Sequence, residues 1–268
     1  MSAPDAARFD RLAPTYDHAV PFFSVAGVRL VEWAGVGLGE RILDLGAGRG
    51  AITCAVWRAL GPAVEVVAGD VSTEMLARLR SLALPGVQVK YLDATAIDEL
   101  DSSFDAVFSA FVLHFLAGRV QALAEVARVL RPGGTFAMSV PGPGNEKGWD
   151  ETYAQIIDEF RGRAQLPPPK RSPVGAWEDL AVAAGLRVVA RTNVEIVLPL
   201  EGPEQYWSWL LAHSHQGLYD SLDETDRQAL HERVVSSLRE DHPAGGRQLV
   251  VDADFYRMTK ARTSNDGP

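Results

Sequence analysis

Between Arg41 and Val140 the chain alternates between two textures. Ile42 to Leu45, Val64 to Asp70, Val87 to Leu92, Phe104 to Ser109 and Thr135 to Val140 are short runs rich in Val, Ile, Leu and Phe. Near-continuous apolar runs of this kind suit strands covered on both faces of a parallel sheet. Between them the apolar residues recur at helical spacing: from Ala51 to Leu60, then Met75, Leu76, Leu79 and Leu82, then Val120, Leu123, Ala124, Ala127 and Leu130. Ser72 is placed to cap the second of these helices with Glu74 in its first turn, and Arg131-Pro132-Gly133-Gly134 forbids the third from continuing. Strand and helix in regular alternation predict a parallel sheet with right-handed crossovers.

The flanks read differently. Phe9, Leu12, Tyr16, Val20, Phe22 and Phe23 make residues 7–36 amphipathic, broken by Pro14 and Pro21, with a short helix predicted from Val28 to Val36. After Val140, the prolines and glycines from Pro141 to Ser172 suggest an insertion, with Trp149 to Phe160 as a helix inside it. Val174 to Ala184 predicts a helix, while Arg187 to Leu198 and Leu249 to Thr259 predict two further strands. Between those strands Tyr206, Trp209, Leu210 and His213 share one helix face, and Leu230, Val234 and Leu238 stripe a second helix. Two readings of the aromatic face stand: it seats the helices on the sheet, or it closes a pocket with His213 or His215 pointing in.

The expected organisation is an N-terminal helical cap (1–39), a core (40–200 and 247–260) with an insertion at 141–172, and a helical lid (201–246). The fold class is α/β: a doubly wound, mostly parallel, seven-stranded Rossmann-like sheet with the lid inserted before its last strand.

Composition narrows the partners. With 268 residues and 47% hydrophobic content the chain can bury a sizeable core. Its 35 acids against 26 bases give a net charge of −9, which disfavours nucleic acid and anionic membrane surfaces. The single cysteine, Cys54, forms no internal disulfide, and the N-terminal residues lack a secretory pattern, so the expected setting is cytoplasmic. The expected partner is a small-molecule substrate, and the protein a monomer or homodimer.

The chemistry lies where the first strand ends. Gly46, Gly48 and Gly50 allow a sharp turn and close approach of a ligand to the backbone, and the helix from Ala51 puts its N-terminus beneath, so the loop suits a ligand with an anionic end. Gly46, Gly48 and Ala51 also satisfy the dinucleotide pattern G-x-G-x-x-G/A. The fuller wording, Asp44-Leu-Gly-Ala-Gly-Arg-Gly50 followed by a strand ending in Asp70, resembles the class I S-adenosylmethionine-dependent methyltransferases, whose motif is written (D/E)-x-G-x-G-x-G.

The resemblance implies S-adenosyl-L-methionine as cofactor and S-adenosyl-L-homocysteine as product. It implies cofactor contacts from Tyr16, Asp44, Gly46, Gly48, Gly50, Asp70, Val71, Met75, Asp93, Ala94 and Ser109, with Asp70 on the ribose hydroxyls and Asp93 on the adenine amine. His114 and His213 are the candidate acid–base groups, although a histidine in an apolar run also suits packing. Phe22, Phe23, His114, Trp149, Tyr206, Trp209 and His213 are the candidate substrate-pocket lining. The implied activity is methyl transfer to O, N or C of a small molecule, in natural-product tailoring. The alternatives are a non-methylating reaction on the same fold, such as cyclisation, and a cofactor-binding module without turnover.

Overall fold

The structure is a computed structural model, and it describes residues 3–18, 20–37, 39–147, 151–167, 177–241 and 248–260. Seven strands are found there: β1 Arg41–Leu45, β2 Glu65–Asp70, β3 Val87–Tyr91, β4 Phe104–Ala110, β5 Leu130–Lys147, β6 Leu186–Pro199 and β7 Gln248–Lys260. They form one sheet in the order β3-β2-β1-β4-β5-β7-β6. The first five are parallel, and β7 runs antiparallel to both β5 and β6. Strand order reverses at β1, between β2 on one side and β4 on the other. Open α/β sheets form their ligand crevice at the carboxyl ends of strands flanking such a reversal.

Alternation along the strands builds a core on each face. Ile42, Val66, Ala106, Phe108, Ala137 and Phe255 point to one side, which is covered by α2 Phe22–Ala34 and α3 Ala51–Leu60. Leu43, Leu45, Val67, Val107, Phe136, Met138, Tyr256 and Met258 point to the other, covered by α5 Arg119–Val129 and α7 Trp177–Ala183. Helix α4 Thr73–Ser81 packs beside α3, where the Trp57 Nε1–H donates to the carbonyl of Pro85 at 3.1 Å.

The first helix, α1 Ala3–Leu12, is fastened to α4 by one carboxylate. Asp10 Oδ1 accepts from Ser72 Oγ at 2.6 Å and from the Glu74 N–H at 3.1 Å, while Ser72 Oγ accepts from the Met75 N–H at 3.2 Å. Two side chains from distant parts of the chain thus satisfy the open donors at the start of α4.

Two elements run longer than the local pattern predicts. The short helix predicted from Val28 begins at Phe22, because Asp17 reaches forward to accept from the N–H groups of Phe23 and Ser24 at 2.8 and 2.9 Å. Strand β5, predicted to stop at Val140, continues to Lys147: Pro141 stands opposite Ala253, Glu146 opposite Val251 and Lys147 opposite Val250, with the register shifting between Pro141 and Glu146. The irregularity takes up residues that cannot donate to a ladder, so Pro141 and Pro143 are tolerated. Residues 141–147, expected to open an insertion, are therefore part of the sheet.

The prolonged β5, β6 and β7 carry a second group of helices: α6 Glu151–Arg163, α8 Pro203–Leu210, a π-helical turn Leu211–His215, α9 Gln216–Ser221 and α10 Glu224–Asp241. Arg163 pairs with Asp226 and Arg233 with Glu159, both at 2.6 Å, joining α6 to α10. Among the described residues no helix is long and apolar enough to cross a membrane.

Helix α2 packs tightly on the start of α3. A Cβ built on Gly27 would lie 3.0 Å from the carbonyl carbon and oxygen of Ala51, which are backbone atoms with little freedom to yield. Gly27→Ala is therefore expected to cost about 1–3 kcal/mol through overpacking, read as a lower urea midpoint at unchanged slope; an unchanged midpoint would mean that α2 is free to lift.

Candidate functional site

The site begins with three glycines of distinct duty. Gly46, Gly48 and Gly50 have φ values of +78°, +53° and +95°, in the left-handed region that side chains avoid. The N–H groups of Gly46 and Ala47 both donate to the carbonyl of Gly69, at 2.8 and 2.9 Å, which ties the loop to β2. A Cβ on Gly46 would fall 2.3 Å from Val112 Cγ2, and one on Gly50 would fall 2.5 Å from Leu79 Cδ1. At Gly48 it would meet nothing within 4 Å. Gly46 and Gly50 thus serve packing, while Gly48 opens its backbone to the crevice.

Three carboxylates frame this loop, two of them buried and the third, Asp17, half-buried. Asp44, only 1% exposed, accepts through Oδ2 from the Thr53 N–H at 2.9 Å and from Thr53 Oγ1 at 2.6 Å, holding the first turn of α3. Burial pushes its pKa up to about 7 against the Thr53 bonds, and Asp70 adds to the rise. Asp70 accepts from the Gly48 N–H through Oδ2 and from the Ser72 N–H through Oδ1, each at 2.8 Å, and burial raises its pKa. Asp17, at φ +56°, caps α2 and also accepts from Ser24 Oγ at 2.6 Å; burial raises its pKa as well.

A cavity of about 470 Å³ opens over the loop. Phe9, Tyr16, Phe23, Phe111 and Phe115 form its aromatic walls. Tyr16 stacks on Phe23 with ring centroids 4.8 Å apart and planes 7° from parallel, and Phe111 meets Phe23 edge-on at 5.4 Å. Arg49 donates to the carbonyl of Tyr16, fastening the N-terminal segment over the loop. Phe111 has φ +56°, and its N–H donates to the carbonyl of Ser139 at 3.0 Å. A bulky residue in this region carries strain of about 1–3 kcal/mol and persists only where its surroundings demand it.

Of the residues singled out in the sequence, Tyr16, Asp44, Gly46, Gly48, Gly50, Asp70, Met75 and Phe23 line the cavity. Val71 and Ala94 line a narrow cleft next to it, shared with Gly46, Asp70 and Val112. Others stand elsewhere. Asp93 is outside the cavity wall and accepts from the Thr95 N–H and Oγ1, both at 2.8 Å. Ser109 is buried and donates to the carbonyl of Leu45 at 2.9 Å, so it joins β4 to β1. Phe22 is buried in the core behind Phe111.

His114 also lies off the cavity wall, with its ring 4.0 Å from that of Phe115 and a buried Nδ1 that has no hydrogen-bond partner. Burial and the neighbouring Arg119 push its pKa from the ordinary 6.5 down to about 4. At neutral pH it is uncharged and a weak base. Tyr206 and Trp209, expected as pocket lining, are 2% and 3% exposed and belong to the core shared with α2, because their helix face turns onto the prolonged sheet. Trp149 and the side chain of His213 lie outside the described residues.

The reading of the sequence did not select Phe9, Arg49, Phe111 or Phe115 for the cavity. Phe9 and Phe115 meet at 5.9 Å only because α1 folds back across the sheet, and nothing local marks Phe111 as left-handed.

A model of the methyltransferase-domain family matches residues 42–134, the stretch that contains the glycine loop, Asp70 and β4. Residues 42–134 thus carry a methyltransferase domain, in keeping with the resemblance of the glycine motif. This methyltransferase-fold chain is 37% identical over 143 residues to an uncharacterized methyltransferase of Mycobacterium tuberculosis, covering 52% of this chain and 57% of that one. It is 34% identical over 138 residues to the aklanonic acid methyltransferase DauC of a Streptomyces species, covering 50% and 63%. The matched region thus spans little more than half the length of these curated relatives. Phosphoethanolamine N-methyltransferase 2 of Haemonchus contortus, solved with S-adenosyl-L-methionine, shares the fold at a TM-score of 0.54 and 18% identity, covering 89% of this chain and 53% of that one.

Two predictions follow the loop and its acids. Gly48→Ala is expected to lose only about 1 kcal/mol of stability while weakening ligand binding severalfold or more, whereas Gly46→Ala, driven into Val112, loses stability first; thermal melts with calorimetric titration separate the two, and equal melting losses would contradict this division of duty. Asp44 supplies a pH signature. A carboxyl raised from 3.8 to about 7 in the folded protein holds its proton more tightly there. Its contribution to stability is therefore full below the unfolded value and is lost as pH rises through about 7. Relative to Asp44→Asn, the wild type should lose at least about 1 kcal/mol between pH 4 and 8; parallel stability curves for the two proteins would contradict the shift.

Proposed function

We propose that this protein transfers the methyl group of S-adenosyl-L-methionine to a small-molecule acceptor. The observation that carries the proposal is the crevice at Gly48, where the space a Cβ would occupy is open and Asp70 stands at the end of the neighbouring strand. A ligand backbone or ribose can approach Gly48 closely, and the Asp70 carboxylate keeps acceptor capacity beyond its backbone N–H bonds for vicinal hydroxyls. Tyr16, Phe23 and Phe111 would offer aromatic faces to a sulfonium, which such faces attract. When bound, the cofactor supplies an electrophilic methyl group.

The chain's own residues supply position and dryness. No described histidine lines the cavity, and His114 beside it is a poor proton acceptor. Holding two reactants at near-attack distance is worth up to ~7–11 kcal/mol, against about 3–5 kcal/mol for a general base. Positioning by the aromatic walls therefore suffices for an acceptor that is already nucleophilic, such as a carboxylate, an amine or a stabilised carbanion. The Streptomyces relative is named for methyl transfer to a small acid, aklanonic acid, which supports a small-molecule acceptor; a role in natural-product tailoring and a cytoplasmic setting belong to the same reading.

Calorimetric titration with S-adenosyl-L-methionine and S-adenosyl-L-homocysteine, with NADH alongside, is the test. Micromolar affinity, about −8 kcal/mol, for the adenosyl ligands and none for NADH is expected, followed by release of S-adenosyl-L-homocysteine when an acceptor panel is added. Failure to bind either adenosyl ligand would sink the proposal. Conversion of an acceptor without release of S-adenosyl-L-homocysteine would point to a non-methylating reaction such as cyclisation.

A further inference from the structure

Strand order leaves the sheet two edges, and they are protected unequally. At one edge β3 is only five residues long, and Arg80 donates to the carbonyl of Val89 there. At the other, β6 runs for 14 residues and pairs with β7; among the described residues no backbone hydrogen bond reaches its outer side. A long open edge is a template for another strand.

The direction of the β6 backbone groups follows from the register. Ser139 and Thr192 stand opposite Phe255 on its two sides, and the Ser139 carbonyl is turned away from β7, accepting from the Phe111 N–H. Ser139 and Phe255 are therefore a pair without ladder bonds, so Phe255 directs its N–H and C=O to Thr192. The alternate residues Arg191, Asn193, Glu195 and Val197 then direct theirs to the open edge. Arg29 of α2 agrees with this, donating to the carbonyl of Glu195 at 2.8 Å.

The side chains of those residues share the face on which α7 lies. Arg191 stands over the Tyr256 ring, and Asn193 donates to Asp254 at 2.9 Å. Outward from Asn193 the exposed positions are Arg191 and Glu195, then Val189 and Val197, which are 41% and 38% exposed. The guanidinium of Arg191 binds Asp254 at 2.8 Å while half its side chain remains exposed. Glu178 of α7 reaches Arg191 at 3.4 Å, and Val182, one turn further along the same side of that helix, is 71% exposed.

This pattern is its own complement when reversed. A twofold axis at Asn193 sets Arg191 opposite Glu195 of a second copy and Val189 opposite its Val197. Residues directly opposite in antiparallel strands face the same way with Cβ atoms about 4.5–5.5 Å apart, where opposite charges and apolar pairs attract. Moving the axis to Arg191 or to Glu195 would set like charges against each other. An isologous interface requires such self-complementarity, and an unrelated strand does not.

We propose that the outer edge of β6 is a homodimer interface, in which β6 strands of two copies pair antiparallel about Asn193 and join two seven-stranded sheets into one. The register shift between Val188 and Ala190 ends the regular stretch, so the pairing runs from Val189 to Val197.

The test uses the full chain. Sedimentation equilibrium from micromolar to near-millimolar concentration is expected to give twice the 29.0 kDa of the chain. Glu195→Arg, which meets Arg191 of the second copy, and Val197→Lys are each expected to weaken the dimer about tenfold or more, with circular dichroism unchanged. Asn193→Cys, at the axis, is expected to form a disulfide between copies on mild oxidation, because such opposed Cα atoms lie about 5.5 Å apart. Glu195→Cys, roughly 14 Å from its counterpart by strand rise, should not, nor should the wild type through Cys54. A wild type that stays monomeric, a dimer that both charge variants leave intact, or Glu195→Cys that crosslinks as readily as Asn193→Cys overturns the proposal. Should the charge variants lose their fold, the cysteine pair decides alone, since it leaves Arg191 and both valines in place.

Discussion

Asp44 and Asp70 stand at the ends of neighbouring strands, and each carries a hydrogen-bonded connection from its strand to a helix start. Asp44 holds Thr53 at the start of α3, while Asp70 holds the N–H groups of Gly48 and Ser72, bridging the glycine loop to the start of α4. Burying a carboxylate is unfavourable unless donors surround it, and here the donors are the open N–H groups of a loop and of helix N-termini. Much of the site hangs on these bonds. With α3 in place, Gly27 lets α2 settle on Ala51; with α4 in place, Ser72 and Glu74 receive Asp10 and so dock α1. The aromatic walls come from these docked segments and from the turn after β4, so the loop's anchorage also sets the shape of the cavity.

Within that cavity the acids are engaged by the protein, and burial raises the affinity of each for a proton. Aromatic rings dominate the remaining wall, and one of them, Phe111, is held there against its backbone preference by a bond to Ser139 on the adjacent strand. An arrangement of this kind favours orientation over proton transfer.

The long antiparallel strands give the second half of the chain a different character from the first. β5, β6 and β7 outrun β1 to β4, and the surplus length supports α6 and α8 to α10, whose aromatic residues are buried in the core they share with α2. Salt bridges from Arg163 and Arg233 bind α6 to α10 across residues far apart in sequence. These helices contribute no described residue to the cavity wall. Their aromatic stripe reflects packing on the sheet.

What the sequence determined by itself was whatever depends on neighbours along the chain. The alternation of apolar runs and helical stripes specified the strands and crossover helices from 41 to 140, because periodicity is a local property that burial on a sheet requires. The glycine spacing and the acids at two strand ends likewise pointed to the ligand loop, since backbone freedom and carboxylate chemistry belong to the residues themselves. Tertiary structure decided what depends on encounters between distant segments. It gave Gly46 and Gly50 to packing against Val112 and Leu79 and left Gly48 facing the crevice. It carried β5 past two prolines because β7 lay alongside. It turned Tyr206 and Trp209 inward, shifted the proton affinity of His114 through burial, and brought Phe9 and Phe115 together over one cavity. Each of these outcomes follows from who meets whom across the fold, which no local pattern records.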